Sequence, residues 1–235
     1  MFAHRLLGLA FLLQAIAALA QAPAAAPDKA EQTLLEAATL LRDRKLPESL
    51  AASERVIAIY EAKYRDTPDR VYCARGPIDT IFYIMRHANA PNGKGAVVVK
   101  YWCEAHFLRG YVLVELGRLP EAKAALEAAV AMSPSNSQYL SELGSLYLRE
   151  RAWTRALETY AAAEQAVDIS DPAQKNNDAA KAQRGAGYAL IEMGRLADAE
   201  EKYRRSLELV PGNALAQGQL RYIAQLRARA AQPLQ

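Results

Sequence analysis

The chain has 235 residues, of which 51% are apolar and 23% are charged. This composition supplies the core of one domain of roughly 200 residues, and it excludes collagen, a multi-span membrane protein and a small disulfide-rich domain. The 29 Lys and Arg side chains exceed the 26 Asp and Glu side chains by only three. Because no basic run is long enough to follow a phosphate backbone, we expect no nucleic-acid partner.

The N-terminus has the pattern of a secretory signal peptide. A short polar start precedes an almost wholly apolar stretch over residues 6–19, and small residues suited to cleavage follow. The stretch is shorter than the roughly 20 residues of a membrane-spanning helix. We therefore predict a signal peptide over 1–20, a periplasmic or secreted bacterial location and no stable membrane span after cleavage; an uncleaved anchor is the alternative. Residues 21–27, rich in Ala and Pro, predict an extended tether.

A repeat with a 34-residue period organises the remainder. Gly110 and Gly144 are 34 residues apart, and Gly187 follows Gly144 by 43 residues. Fixed periods of this size are typical of solenoids. The surplus of nine residues predicts an enlarged loop within 169–177. Within each copy, apolar residues recur at steps of three and four, which predicts amphipathic helices.

Turn signals divide each copy into two helices. The segments 117–120 and 194–196 place Gly at the end of one helix, where the left-handed conformation suits it. Pro120 then falls in a first helical turn, which tolerates proline. Residues 44–49 resemble 117–122, and this predicts a degenerate first copy.

These segments resemble tetratricopeptide repeats, in which small residues let two antiparallel helices approach each other. The resemblance implies an all-α solenoid of helix-turn-helix repeats with an inserted extra helix and a C-terminal capping helix. We divide the domain, residues 28–235, into a degenerate repeat (30–63), an insert (64–102), three good repeats (103–136, 137–170 and 180–213) and the capping helix (214–231).

The insert predicts one extra helix packed against the solenoid. Gly76 and Pro77 form its start, and its apolar stripe is Ile78, Ile81, Phe82 and Met85. Residues 96–99 are mostly β-branched, but we find no second strand of similar quality to pair with them. We therefore predict that they lead into the helix that continues through Trp102.

Two cysteines flank this helix. In an exported chain, Cys73 and Cys103 predict a disulfide that attaches the insert to the repeats. The alternative is a zinc site, because Cys103 and His106 share a helical face and Cys73 with His87 would complete a tetrahedral set.

No catalytic constellation is evident. The segment 92–95 lacks the spaced Gly and the Ser or Thr of a phosphate loop, so we read it as a turn. The motifs of serine hydrolases, zinc peptidases and dinucleotide enzymes are missing from the sequence. We expect a non-enzymatic protein that needs no cofactor or metal.

The resemblance also implies which residues face the partner-binding groove. Tetratricopeptide repeats bind proteins and peptides along the first helix of each pair, through the second, fifth, ninth, twelfth and thirteenth residues of each copy. The candidates are Glu104, Phe107, Tyr111, Glu115, Gln138, Ser141, Arg149, Lys181, Arg184 and Tyr188. We expect a protein or peptide partner, in a cell-envelope assembly; the alternative is a small-molecule or metal module centred on residues 64–106. The sequence leaves the oligomeric state open.

Overall fold

The computed structural model describes residues 28–89, 95–169 and 172–230. Its helices and strands are α1 (Lys29–Arg42), α2 (Leu46–Tyr64), β1 (Arg70–Cys73), α3 (Pro77–Ala88), β2 (Ala96–Val99), α4 (Trp102–Glu115), α5 (Leu119–Met132), α6 (Ser137–Arg149), α7 (Trp153–Gln165), α8 (Lys175–Glu192), α9 (Leu196–Leu209) and α10 (Ala214–Ala230). The predicted signal peptide (1–20) and tether (21–27) lie outside the described residues.

The helices form consecutive hairpins, and each hairpin packs against the next. The pairs are α1 with α2, α4 with α5, α6 with α7, and α8 with α9, while α2 packs on α4, α7 on α8 and α10 on α9. Asn213 begins α10 as an N-cap, its side-chain oxygen accepting a hydrogen bond from the Ala216 N–H at 3.0 Å. The predicted all-α solenoid and its capping helix are confirmed.

The small residues that define the period occupy equivalent places. A Cβ atom added at Gly110 would lie 2.7 Å from Leu126, and one at Gly187 would lie 2.8 Å from Tyr203. At Gly144 the corresponding distance to Tyr160 is 3.0 Å. In each of these three hairpins the glycine thus faces the side chain 16 residues later, on the second helix. A Cβ atom there would have to displace that side chain, so glycine allows the two helices their close approach.

The four turns within the hairpins share one backbone conformation. Gly117 and Gly194 both have φ of +73°, and Arg44 and Arg151 hold φ of +61° and +57° at the equivalent positions. The predicted Gly turns are therefore confirmed. The two arginines show that the turn geometry is kept even where the residue is unfavourable for it.

The prediction for residues 96–99 is wrong, because they form a strand rather than the start of a helix. Strand β2 pairs in parallel with β1, with Arg70 opposite Ala96 and Cys73 opposite Val99. Helix α3 connects the two strands, so the insert contains a β-α-β unit. The sequence pattern does not indicate the partner strand, because β1 has only four residues and begins with an arginine. Its pairing depends on a contact between residues 26 positions apart.

Helix α3 exists as predicted, but the face that it buries was predicted wrongly. Ile78, Ile81 and Met85 of the expected packing stripe are 62%, 58% and 60% exposed, and only Phe82 is partly buried. Asp79 and Tyr83 are buried instead. Hydrogen bonding explains the reversal, since Asp79 accepts from the backbone N–H groups of Arg75 and Gly76 at 2.7 and 2.8 Å.

The nine extra residues between the second and third good repeats, 169–177, form a loop only in part. A 3₁₀ helix, Ala166–Ile169, continues α7, and α8 already begins at Lys175. The predicted loop over 169–177 is therefore shorter than expected, because its last three residues form the first turn of α8. Residues 170–171 lie outside the described residues.

Candidate functional site

A pocket of about 250 Å³ lies between α4 and α6, the first helices of two consecutive hairpins. Its lining residues are Tyr111, Val114 and Glu115 from α4, Leu126 from α5, and Glu142, Ser145, Leu146 and Arg149 from α6. Apolar side chains from three helices thus share this space with ionisable groups. Three of the sequence-predicted groove residues, Tyr111, Glu115 and Arg149, meet here.

The acidic groups of this pocket are already paired. Glu115 accepts a hydrogen bond from the Arg44 guanidinium at 2.9 Å, and Glu142 forms an ion pair with Lys181 of α8. Arg149 is exposed and forms no ion pair with a carboxylate of the described residues. The pocket therefore presents one uncompensated positive charge between neutralised pairs.

Two tyrosines on the first helices of the hairpins are exposed. Tyr111 on α4 and Tyr188 on α8 are each 40% exposed, and the Tyr188 ring lies 6.4 Å from that of Trp153. Tyr160 lies beneath the pocket, where its hydroxyl is 2.9 Å from the Ser145 Oγ. Burial raises the pKa of Tyr160 to about 12, so its hydroxyl stays protonated and is a structural donor or acceptor.

Other predicted groove residues take part in internal packing. The Phe107 ring stacks on Tyr139 with centroids 4.8 Å apart, and Ser141 is 1% exposed. Arg184 donates to the Ser206 Oγ at 3.1 Å, and burial lowers the pKa of its guanidinium. Phe107 and Arg184 thus connect helices within the solenoid, and Ser141 is buried, so these three side chains offer little surface to a partner.

The remaining three candidates lie on α4, α6 and α8, outside the pocket wall. Gln138 is exposed near the start of α6. Glu104 is partly buried, and burial raises the pKa of its carboxyl against the opposing influence of Arg75 and Lys100. Lys181 reaches the pocket only through its ion pair with Glu142. None of the three shares the pocket wall with Tyr111.

Sequence reasoning missed several residues that shape the pocket. Glu142 and Leu146 lie on its wall, and Leu126 reaches it from the second helix of the hairpin. Arg44, which neutralises Glu115, is 71 positions away in the chain. The helical period identifies Leu146 as buried, but no local signal connects Arg44 with Glu115.

The cysteines lie as the disulfide prediction requires. Cys73 and Cys103 are at disulfide distance, with their Cα atoms 5.9 Å apart, and the Cys103 N–H points at the Cys73 sulfur at 2.9 Å. Paired cysteines leave no thiolate for zinc. The part of the chain that the structure describes contains no group of three or more His, Cys, Asp or Glu side chains placed to hold a metal ion.

The two histidines of the alternative zinc set have separate surroundings. His87 Nδ1 lies 3.5 Å from the Tyr72 hydroxyl. The Nδ1 atom of His106 is buried without a hydrogen-bond partner among the described residues, and burial lowers the pKa of this ring to about 4. His106 is therefore neutral at pH 7 and packs as a largely apolar group.

Residues 107–172 and 171–214 match the tetratricopeptide repeat family. These residues form tetratricopeptide repeats. Such repeats are in general non-enzymatic protein-interaction domains. The match begins within α4, extends through the three good hairpins to the start of α10, and includes every residue of the pocket.

Solved tetratricopeptide structures resemble this chain. MamA from Desulfovibrio magneticus RS-1, residues 41 to the end, has a TM-score of 0.55 and 16% identity over 86% of this chain and 87% of that one. A double mutant of MamA RS-1 has a TM-score of 0.56 and 16% identity over 86% of each chain. The second domain of human RPAP3, solved in complex with an HSP70 peptide, has a TM-score of 0.44 and 20% identity over 52% of this chain and 98% of that one. No curated protein matches the chain significantly.

In the described part of this tetratricopeptide repeat protein, no helix is both long enough and apolar enough to cross a bilayer.

Proposed function

We propose that this tetratricopeptide repeat protein is an exported interaction module, which holds a segment of a partner protein along α4, α6 and α8 without catalysing a reaction. The observation that carries the proposal is the pocket where exposed Tyr111 stands beside unpaired Arg149. Tyrosine offers a large apolar body with a polar tip, and arginine binds carboxylates through two parallel hydrogen bonds. Both residue types dominate the binding energy of protein interfaces.

The charges of the pocket favour an acidic group on the partner. Glu115 and Glu142 are occupied by Arg44 and Lys181, so neither is free to bind a partner's cation. A carboxylate placed at Arg149 would gain an ion pair without breaking one of these pairs. We therefore propose that the bound segment carries an acidic side chain or a terminal carboxylate there, with an apolar side chain against Tyr111.

Affinity capture with matched variants tests the groove. Immobilised wild-type protein, Tyr111→Ala/Tyr188→Ala, Arg149→Glu and Tyr222→Ala are each exposed to an extract of the native cells, and the recovered proteins are identified by mass spectrometry. Tyr222 is the control because it is 46% exposed but lies on the capping helix.

We expect a partner that wild type and the control recover equally. The other two variants should bind it at least about tenfold more weakly, as is typical of interface anchors. Equal recovery by all four proteins would show that the groove is not the binding site.

The proposed export rests on the sequence pattern of residues 1–20. Fractionation of the native cells followed by N-terminal sequencing tests it. We expect a periplasmic or secreted protein that begins at or near Gln21. A cytoplasmic protein that retains residues 1–20 would contradict export.

The alternative, a small-molecule module at residues 64–106, has one supporting observation. A second pocket, of about 360 Å³, is lined by residues of the insert such as Arg75 and Pro77, together with Gln174 at the start of α8. Its carboxylate, Asp79, is already occupied by backbone N–H groups. Elemental analysis and mass spectrometry of the native protein under non-denaturing conditions would reveal a bound metal or small molecule.

A further inference from the structure

Helix α3 of the insert turns its apolar face to solvent. The residues on that face are Pro77, Ile78, Ile81, Ile84, Met85 and Ala88, all of them exposed. Ile78, Ile81, Ile84 and Met85, which we call the α3 stripe, have exposures between 48% and 62%. An amphipathic helix of a globular domain normally directs such residues into the core, and exposed large apolar side chains grouped on one face commonly mark an interaction surface.

The orientation of α3 is fixed by its polar side. Asp79 accepts hydrogen bonds from two backbone N–H groups at the start of the helix, and the buried Tyr83 hydroxyl lies 3.0 Å from the Ser133 Oγ. Ser133 also donates to the Cys73 carbonyl at 3.0 Å. Rolling the helix to bury the stripe would break these hydrogen bonds. The apolar face is therefore held outward by the fold.

The insert also carries the positive charge of the protein. Residues 64–102 contain six Lys and Arg and three acids, a formal charge of +3, which equals the charge of the whole chain. Asp79 is buried. Arg75, Arg86 and Lys100 form no ion pair with a carboxylate of the described residues. An exposed aliphatic stripe thus lies within a segment whose cations are available to an anionic surface.

We propose that the α3 stripe binds the surface of an anionic membrane, with the side chains of the stripe in the acyl boundary and the flanking cations at the headgroups. Amphipathic helices bind bilayers in this way, by apolar burial together with attraction between Lys or Arg and anionic lipids. This attachment is peripheral, since α3 has only 12 residues.

The same charges argue against a second copy of the chain as the occupant. A two-fold interface on α3 would bring two inserts of formal charge +3 together. Four exposed side chains also cover less than the roughly 800 Å² per partner of a stable interface. The stripe lacks Trp, Tyr and Arg, the residues that most often anchor protein partners.

Vesicle binding by the full mature, oxidised protein tests the proposal. Cosedimentation is measured with vesicles of phosphatidylglycerol and phosphatidylcholine and with vesicles of phosphatidylcholine alone, at low and high salt. The variants are Ile78→Ser/Ile81→Ser/Met85→Ser and Arg86→Gln/Lys100→Gln. Leu35→Ser/Leu215→Ser is the matched control, because both leucines are 60% exposed on other helices.

We expect binding to the anionic vesicles that weakens at high salt. The stripe variant should bind at least about tenfold more weakly, and the cation variant about fivefold more weakly for each charge removed. The control should bind like wild type, and all variants should keep the wild-type melting temperature because the changed side chains are exposed.

Two outcomes would overturn the proposal. The first is a wild-type protein that does not bind anionic vesicles, or a stripe variant that binds them as well as wild type does. The second is a wild-type protein that forms a dimer, or a complex with a captured protein, which the stripe variant does not form. In this case neither the wild type nor the stripe variant binds vesicles. That result would assign the face to a protein interface.

Discussion

Gly185 should be the glycine of this solenoid that least tolerates a side chain. It lies on α8 and faces the Tyr160 ring of α7, and a Cβ atom there would overlap three ring carbons at separations below the 3.0 Å that real Cβ atoms keep. Tyr160 also contacts Gly144 on α6, the first helix of its own hairpin, where an added Cβ would be 3.0 Å away. The ring is therefore enclosed by glycines of α6 and α8.

The expected cost of Gly185→Ala follows from two opposing effects. Alanine favours a helix interior over glycine by about 1 kcal/mol. Against this, Tyr160 is 3% exposed and its hydroxyl is bonded to Ser145, so the ring cannot move without disturbing the core. Overpacking of a well-packed core costs up to about 3 kcal/mol. We expect a net loss of about 2 kcal/mol in the free energy of unfolding.

Urea denaturation followed by circular dichroism measures this loss. Gly218→Ala in α10 is the control, because nothing closer than 3.9 Å would meet its Cβ atom, and it should stabilise the protein by about 0.5 to 1 kcal/mol. In a Tyr160→Ala background, Gly185→Ala should also become stabilising, since the ring is gone. If Gly185→Ala and Gly218→Ala change the free energy of unfolding of the wild type equally, the close contact of Gly185 with Tyr160 does not restrict the side chain at position 185.

Three further predictions concern the disulfide, a turn and a histidine. Replacing Cys73 and Cys103 with Ser should lower the free energy of unfolding by about 3 to 4 kcal/mol, as expected for a loop of about 31 residues; equal stability of the variant and the oxidised wild type in urea would argue against the bond. Arg151→Gly should raise the melting temperature by relieving a left-handed residue (φ +57°), by the equivalent of about 1 kcal/mol, and an unchanged or lower value would contradict this strain. Because burial lowers the pKa of His106 from 6.5 to about 4, the unfolded chain binds more protons in that interval. Stability should therefore fall as pH drops from 6.5 to 4, by up to roughly 3 kcal/mol. His106→Gln should show a shallower fall in urea titrations at several pH values; an identical fall would exclude His106 as its cause.

The candidate groove was only partly predictable from the sequence. Family positions identified Tyr111, Glu115 and Arg149, which meet at one pocket. The same positions also identified Ser141, which is buried, and Phe107, which is partly buried against Tyr139. A position within a repeat specifies the face of a helix, but the neighbouring hairpin decides how much of that face remains open.

The sequence by itself determined the repeat architecture. Period, small residues and turn glycines are local features, and each hairpin is built from contacts within about 34 residues, so the landmarks Gly110, Gly144 and Gly187 were enough to locate the hairpins. Only the tertiary structure decided the insert and the charge state of the groove. Three features depend on contacts between residues far apart in the chain: the pairing of β1 with β2, the outward α3 stripe and the ion pair of Arg44 with Glu115. A local sequence pattern does not indicate such contacts.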